Sequence, residues 1–383
     1  MKVFWINVTN NCNLHCLYCY QNLRNKNELS EENAKKIIEI ISDYSGDILI
    51  NFFGGEPFLN SSTIKFIVNE LSKIDHISPR YSITTNLTVI DDETMQFIIK
   101  NDISLTISMD GDEQTFNLNR FNKNNNINYF QIVRQNLEYF QKMNFQKISL
   151  VKVITDNNYQ NLSKDAVFLC GFNFPVYFNF DQNILNWNNS KIDIDILKKQ
   201  LKEIFDYYID NKKENLKFFD DLFKQFGLMF ICEEKYPEKE CCTNINNMIL
   251  SFDTEGNVFP CHVMNEIYYD KNHEYKESNI ENLKENLKSK NLFSPFDLDE
   301  KYNYFKKIRE LKNCSDCEYD YYCYLEEWNR FENMCTLSRF KIKNDLNLEV
   351  KEEENEYFCF KKYFFDIVFD SINLRRLSID DII

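Results

Sequence analysis

Asn11-Cys12-Asn13-Leu14-His15-Cys16-Leu17-Tyr18-Cys19 places three thiols at C-x3-C-x2-C spacing, directly after the apolar run at residues 3–8. With this cysteine content, chance would supply that spacing about 0.015 times per chain, so the spacing asks for a chemical reason. Three thiolates on one short loop can hold three irons of a 4Fe–4S cube and leave the fourth iron without a protein ligand. An open iron takes an outside ligand, which points to chemistry rather than passive electron transfer. The competing reading is a zinc site with His15 as fourth ligand. His15 directly precedes Cys16, a poor position for chelating the same ion.

Composition agrees with thiols as ligands. The 383 residues include 13 cysteines and only 7 glycines, where average usage would supply roughly 27 glycines. The odd count and the length disfavour a disulfide scaffold. Met1-Lys2 leads only into a short apolar stretch before Asn7, Thr9 and Asn10, unlike a secretory signal. No run approaches the roughly 18 apolar residues of a membrane span. The thiols are therefore expected in a reducing, cytoplasmic setting with no membrane partner. A net charge of −15 repels nucleic acid. The 43% apolar and 15% aromatic content indicates a folded chain.

Outward from the thiol loop, short apolar runs alternate with helical periods. Residues 3–8, 48–53, 81–85, 103–108, 148–154 and 176–180 read as strands. Ala34, Ile37, Ile38 and Ile41 form a helical stripe behind a Ser30 N-cap, with Glu31 and Glu32 in the first turn. Ile64, Ile67, Val68 and Leu71 repeat the pattern behind Ser61-Ser62, and Phe130, Val133, Leu137 and Phe140 mark another helix. Six β–α units in series predict an α/β fold with a parallel sheet, open or as a partial barrel, with ligands at the carboxyl ends of the strands. From about residue 186 a long stripe through Ile194, Leu197, Leu201, Ile204 and Tyr208 replaces that rhythm. Most cysteines follow it. The predicted organisation is a core over 1–185, a helical bridge over 186–230 and a cysteine-rich region over 231–383 with a C-terminal helix.

The thiol loop, with Tyr18 before its third cysteine, resembles the signature of radical S-adenosylmethionine (SAM) enzymes. The resemblance continues in order. Gly54-Gly55-Glu56-Pro57 is similar to the family's GGEP motif, which hydrogen-bonds the SAM amino group. Glycines at a strand end let backbone approach closely, and a carboxylate suits an ammonium. Ser108-Met109-Asp110-Gly111 and Asn117-Leu118-Asn119-Arg120 look like ribose- and carboxylate-binding positions, with Ser108 on the ribose and Arg120 on the carboxylate. The resemblance implies a partial (β/α)6 TIM-like barrel.

The second half resembles the SPASM extension, which houses two auxiliary Fe–S clusters. Its spacings are Cys242-x13-Gly256-x4-Cys261, Cys314-x2-Cys317-x5-Cys323, then Cys335 and Cys359. Residues 252–261 read as a hairpin with Gly256 in its turn. Cys314-x2-Cys317 alone would suit a zinc ribbon equally. Where the family's next cysteine falls, this chain has Glu327. Cys335, Glu327 itself, or nothing takes that place, and Cys232, Cys241 and Cys242 compete for two places beside Cys261. Cys314, Cys317, Cys323 and Cys359 make a consistent second set. Cys170, at an apolar helix end, reads as a core residue.

The resemblance implies reductive cleavage of SAM to a 5′-deoxyadenosyl radical, three 4Fe–4S clusters, an electron donor such as flavodoxin or ferredoxin, and a peptide or protein substrate under anaerobic conditions. The overall layout is similar to anaerobic sulfatase maturases. Those enzymes carry an aspartate after the cysteine of the FPC-like turn, where this chain has His262. An imidazole there could serve as a base or simply face solvent. The missing aspartate favours a ribosomal-peptide maturase installing a thioether or carbon–carbon crosslink. Sulfatase maturation is the alternative, and a non-catalytic zinc or Fe–S scaffold is the alternative of another class. The chain begins at the barrel, so a leader peptide is expected to dock elsewhere or be presented by a partner.

Overall fold

A computed structural model describes residues 2–19, 26–121, 127–180, 192–211, 215–217, 249–259 and 278–279. The chain divides into two compact units. The first takes in Met1–Ser108 and Arg120–Ile148 with the described residues 249–259 and 278–279. The second takes in Met109–Asn119 and the described residues from 149 to 217.

In the first unit, β1 (Lys2–Thr9), β3 (Gly46–Gly54), β4 (Ile77–Thr85) and β5 (Ser104–Ser108) lie side by side and parallel. Phe4, Ile6 and Val8 are fully buried on one face of β1, and Asn7 and Thr9 on the other are fully buried too. Burial on both faces is what a covered parallel sheet requires. The α/β class expected from the sequence is the class observed. The register pairs Thr9 with Gly54 and Thr85 with Ile107, so the carboxyl ends of all four strands share one edge. β4 begins four residues before the predicted run. Its early part includes Pro79, which lacks an amide donor but falls outside the stretch that β5 pairs.

Helices cover this sheet. α1 (Glu31–Ser42) starts as predicted, with the Ser30 hydroxyl oxygen accepting from the Asn33 amide at 3.1 Å. α2 (Ser61–Leu71) takes both serines inside the helix, because Asn60 precedes it and donates its side-chain amide to the Val8 carbonyl at 2.9 Å instead of capping. α3 (Asp92–Lys100), capped by Asp91, carries only Thr94, Met95 and Ile98 buried, a stripe too thin to read from the sequence. α5 (Tyr129–Lys142) buries the predicted Phe130, Val133, Leu137 and Phe140.

The predicted hairpin forms from β9 (Ile249–Phe252) and β10 (Asn257–Phe259), with Gly256 at φ 82°. The Asp253 carboxylate accepts from the amides of Glu255 and Asn257 and from the Asn257 side chain, which fixes the turn. β9 pairs in parallel with β1, and Asn10 donates to the Thr254 hydroxyl at 3.2 Å.

The second unit pairs β7 (Ile148–Ile154) with β8 (Val176–Phe180) and packs α6 (Leu162–Cys170) on α7 (Ile194–Asn211). Cys170 is a free thiol, 1% exposed. α4 (Glu113–Asn119) also belongs here. No described helix is long and apolar enough to cross a membrane.

One ionic contact in this unit is fully buried. Lys152 of β7 donates to Asp165 of α6 at 2.8 Å and to the Asp110 carbonyl at 2.7 Å, and both side chains of the ion pair are 0% exposed. Gly111, at φ 150°, passes so near Asp165 that a Cβ would lie 2.1 Å from its Oδ1. Removing one member leaves the other charge buried and unpaired, which costs about 3–5 kcal/mol, whereas replacing both with apolar groups is often near neutral. K152M is therefore expected to lower the thermal midpoint sharply, and K152M/D165L to recover most of that loss in calorimetry.

Candidate functional site

The site is built from four loops at the carboxyl edge of the first unit's sheet. The first is the thiol loop after β1. Within it the short strand β2 (His15–Cys16) pairs antiparallel with β6 (Arg120–Phe121), setting Cys16 opposite Arg120. That pairing turns the Arg120 guanidinium toward the loop. Its Nη1 lies 3.8 Å from the Cys16 sulfur, and its centre lies 5.5 Å from the centroid of the Tyr18 ring, in cation–π range. Cys12, Cys16 and Cys19 are all free thiols. The loop turns tightly, with the Cys19 amide donating to the Cys16 carbonyl at 3.1 Å and the Leu14 amide to the Cys12 sulfur at 3.4 Å.

The second loop is Gly54-Gly55-Glu56-Pro57, after β3. The close approach that requires its glycines is to the chain's own thiol loop. A Cβ on Gly54 would lie 2.2 Å from the Thr9 carbonyl oxygen, and one on Gly55 would lie 2.1 Å from that of Asn11. In the space so cleared, the Gly55 amide donates to Thr9 and the Glu56 amide to Asn11, both at 2.7 Å. Gly54 also holds φ 150°, costly for any side chain.

The third loop, after β4, holds the carboxylate of Glu56. One oxygen accepts from the Thr85 hydroxyl at 2.6 Å and the Phe58 amide at 3.2 Å, and the other from the Asn86 amide at 2.7 Å. Glu56 is completely buried, and that burial pushes its pKa up to about 7 against the pull of these donors and of the Arg120 charge. Cys12 is exposed as a residue, yet desolvation of its thiol, reinforced by Glu56 and Cys19, pushes the pKa up to about 11.

The fourth loop starts at Ser108, the last residue of β5. It lies one position beyond Ile107, the register partner of Thr85. Thus Cys12, Tyr18, Gly54, Gly55, Glu56, Ser108 and Arg120 all lie on this edge. Cys232, Cys241, Cys242, Cys261, His262, Cys314, Cys317, Cys323, Glu327, Cys335 and Cys359 lie outside the described residues. Sequence reasoning passed over Thr85-Asn86-Leu87-Thr88. The available signal was a polar stretch at the carboxyl end of a predicted strand.

Residues 6–166 match the family model described as the Radical SAM superfamily. They form a radical SAM domain. A radical SAM domain is an enzyme domain and implies SAM and a 4Fe–4S cluster. The chain is 24% identical over 362 residues to a cysteine-type anaerobic sulfatase-maturating enzyme of Clostridium perfringens strain 13, covering 82% of this chain and 90% of that protein. It is 25% identical over 234 residues to a radical SAM cyclopropyl synthase of Paramaledivibacter caminithermalis, covering 55% of this chain and 48% of the relative. The fold is similar to that of native anSMEcpe with bound AdoMet and Kp18Cys peptide, with a TM-score of 0.67 at 19% identity over 98% of this chain and 99% of that one.

The residues fit these groups. Three reduced thiols on one loop, with N–H donors directed at the sulfurs of Cys12 and Cys16, match the chemistry of thiolate–iron ligation. Among the described residues no three of His, Cys, Asp and Glu converge on a single ion. A cube does not ask for that, since each thiolate binds its own iron. The buried Glu56 carboxylate is a ready acceptor for an ammonium group.

Glu56 also makes stability depend on pH. Its folded-state pKa of about 7 lies above its ordinary 4.5, so the folded, ligand-free protein holds the proton more tightly than the unfolded chain. Its contribution is fully present below the ordinary pKa and is lost as pH rises through the folded one, about 3 kcal/mol in all. Melts of ligand-free protein are expected to fall in midpoint as pH rises across this window. E56Q is expected to remove that slope, and a slope unchanged in E56Q would overturn the assignment. G55A is expected to prevent iron loading on the thiol loop, because its Cβ meets backbone rather than a movable side chain.

Proposed function

We propose that this protein is a radical SAM peptide maturase that installs a thioether or carbon–carbon crosslink, or a related modification, in a ribosomally made peptide. The observation that carries the reading is the tie between cluster loop and carboxylate. Cys12 and Glu56 are both bound by Asn86, so an iron ligand and an ammonium acceptor are held beside one another at the sheet edge. With a reduced 4Fe–4S cluster and SAM in place, one electron from the cluster would break a sulfur–carbon bond of SAM, giving methionine and a 5′-deoxyadenosyl radical able to abstract hydrogen from an unactivated carbon.

The chain's own residues have definite tasks in this reading. Cys12, Cys16 and Cys19 hold three irons. Glu56 receives the SAM ammonium, for which the donors from Thr85, Asn86 and Phe58 keep the carboxylate oriented. Arg120 meets the SAM carboxylate, and Ser108 the ribose. The Tyr18 ring lies within cation–π range of the Arg120 guanidinium and limits where that fork can point. Two auxiliary clusters take their ligands from Cys232, Cys241, Cys242, Cys261, Cys314, Cys317, Cys323, Cys335 and Cys359, with His262 as candidate base. An electron donor such as flavodoxin or ferredoxin reduces the clusters.

A second reading, conversion of a cysteine in a sulfatase to formylglycine, is favoured by the alignment to a sulfatase-maturating enzyme over 82% of this chain. The sequence departs from those enzymes at His262, which is why the peptide reading stands first.

Anaerobically reconstituted protein is expected to form 5′-deoxyadenosine from SAM, and C12A/C16A/C19A to form none. If both auxiliary clusters are present, that variant retains roughly two thirds of the wild-type iron. A colourless zinc protein, or native-rate product from the triple variant, would sink the reading. Co-expression with the product of the neighbouring reading frame, whether a short peptide or a sulfatase, followed by mass spectrometry separates the two readings: a crosslink removes hydrogen and keeps sulfur, whereas converting a cysteine to formylglycine removes sulfur.

A further inference from the structure

Asn86 lies in none of the motifs that carry the family resemblance, yet all four hydrogen-bonding positions of its side-chain amide are filled. Its Nδ2 donates to the Cys12 sulfur at 3.7 Å and to Asn13 Oδ1 at 3.2 Å. Its Oδ1 accepts from the Thr88 amide at 2.9 Å and the Thr88 hydroxyl at 2.6 Å. A side-chain amide offers two donors and two acceptor positions, so nothing is left over.

These bonds close a ring with one direction. Asn86 donates to Asn13, Asn13 donates to the Thr88 hydroxyl at 2.8 Å, and that hydroxyl donates back to Asn86. Turning the Asn86 amide over would set its NH2 against the Thr88 amide donor, so the ring permits only the orientation in which the second N–H faces sulfur. The backbone is bent to make this possible. Leu87, fully buried between Asn86 and Thr88, holds φ 57°, a left-handed conformation that crowds the Cβ of a leucine against its own backbone. Strain of this kind persists only where surrounding structure over-determines it. Here the Leu87 amide donates to the Thr85 hydroxyl at 2.8 Å, and its carbonyl accepts from Asn136 at 2.9 Å.

We propose that Asn86 is a positioning residue that sets the reduction potential of the SAM-binding cluster through an N–H···S bond to Cys12, with the Asn13–Thr88 ring fixing its aim. The proposal rests on the assignment of Cys12 as an iron ligand. Hydrogen bonds to cluster sulfurs are among the factors that set potential, because a donor offsets the negative charge added on reduction. The same residue's backbone amide holds Glu56. The group that steadies the SAM ammonium acceptor therefore also eases electron entry into the cluster.

The test is a redox titration followed by electron paramagnetic resonance, reading the cluster signal that changes when SAM is added. N86A is expected to hold wild-type iron and to disfavour reduction about tenfold, a midpoint lower by 59 mV for a one-electron couple. T88V, which opens the ring without touching the cluster loop's sulfurs, is expected to shift the midpoint in the same direction by less. N86D, with an acceptor in place of the donor, is expected to shift it further. A wild-type midpoint in an iron-replete N86A overturns the proposal. If N86A fails to load iron, a wild-type midpoint in T88V overturns it instead. Absence of any SAM-responsive cluster in the wild-type protein would count against the radical SAM peptide reading itself, which separates the two failures.

Discussion

The site depends on a backbone contact that leaves no room for a side chain. Gly54 and Gly55 pass within van der Waals exclusion of the Thr9 and Asn11 carbonyls, and two amide bonds of 2.7 Å are made in the cleared space. That contact fastens the turn bearing Glu56 to the loop bearing Cys12. With 7 glycines in 383 residues, the chain places two of them here, where any larger residue would force the strand ends apart. The other contacts at the edge add to this fixed frame: the β2–β6 pairing brings Arg120 to Cys16, and β4 delivers Thr85 and Asn86 to Glu56.

Burial and hydrogen bonding oppose each other at Glu56. Three donors favour the ionised carboxylate, but complete burial outweighs them and pushes its pKa up to about 7. An incoming cation would tip that balance toward the ionised form. At the second unit's Asp165 burial likewise pushes the carboxyl up, against the pull of the Lys152 charge 2.8 Å away. The donors on Glu56 are neutral, whereas Asp165 already has a cation against it, and Lys152 also holds the Asp110 carbonyl.

Much of the fold was legible in the sequence because strands carry apolar and β-branched residues at the positions that pack inward. The runs at 148–154 and 176–180, in which buried positions alternate with more exposed ones, coincide with β7 and β8. The start of β4 was hidden because Pro79 reads as a breaker, and α3 because a short amphipathic helix leaves few apolar residues to count. The thiol loop stood out through residue type and spacing, whereas Gly54-Gly55-Glu56-Pro57, Ser108 and Arg120 were singled out by the family resemblance that follows it in order.

The sequence by itself determined that this is an α/β chain with a three-thiol loop at its first strand end, since cysteine spacing and apolar period are local and survive without a fold. Only the tertiary structure decided what those residues lean on. It showed that the scarce glycines yield to the chain's own carbonyls, that Arg120 reaches a sulfur 104 positions earlier in the sequence, and that a strained Leu87 lets Asn86 join cluster loop and carboxylate. Those contacts come from strands adjacent in the sheet and distant in the chain, and no local pattern records them.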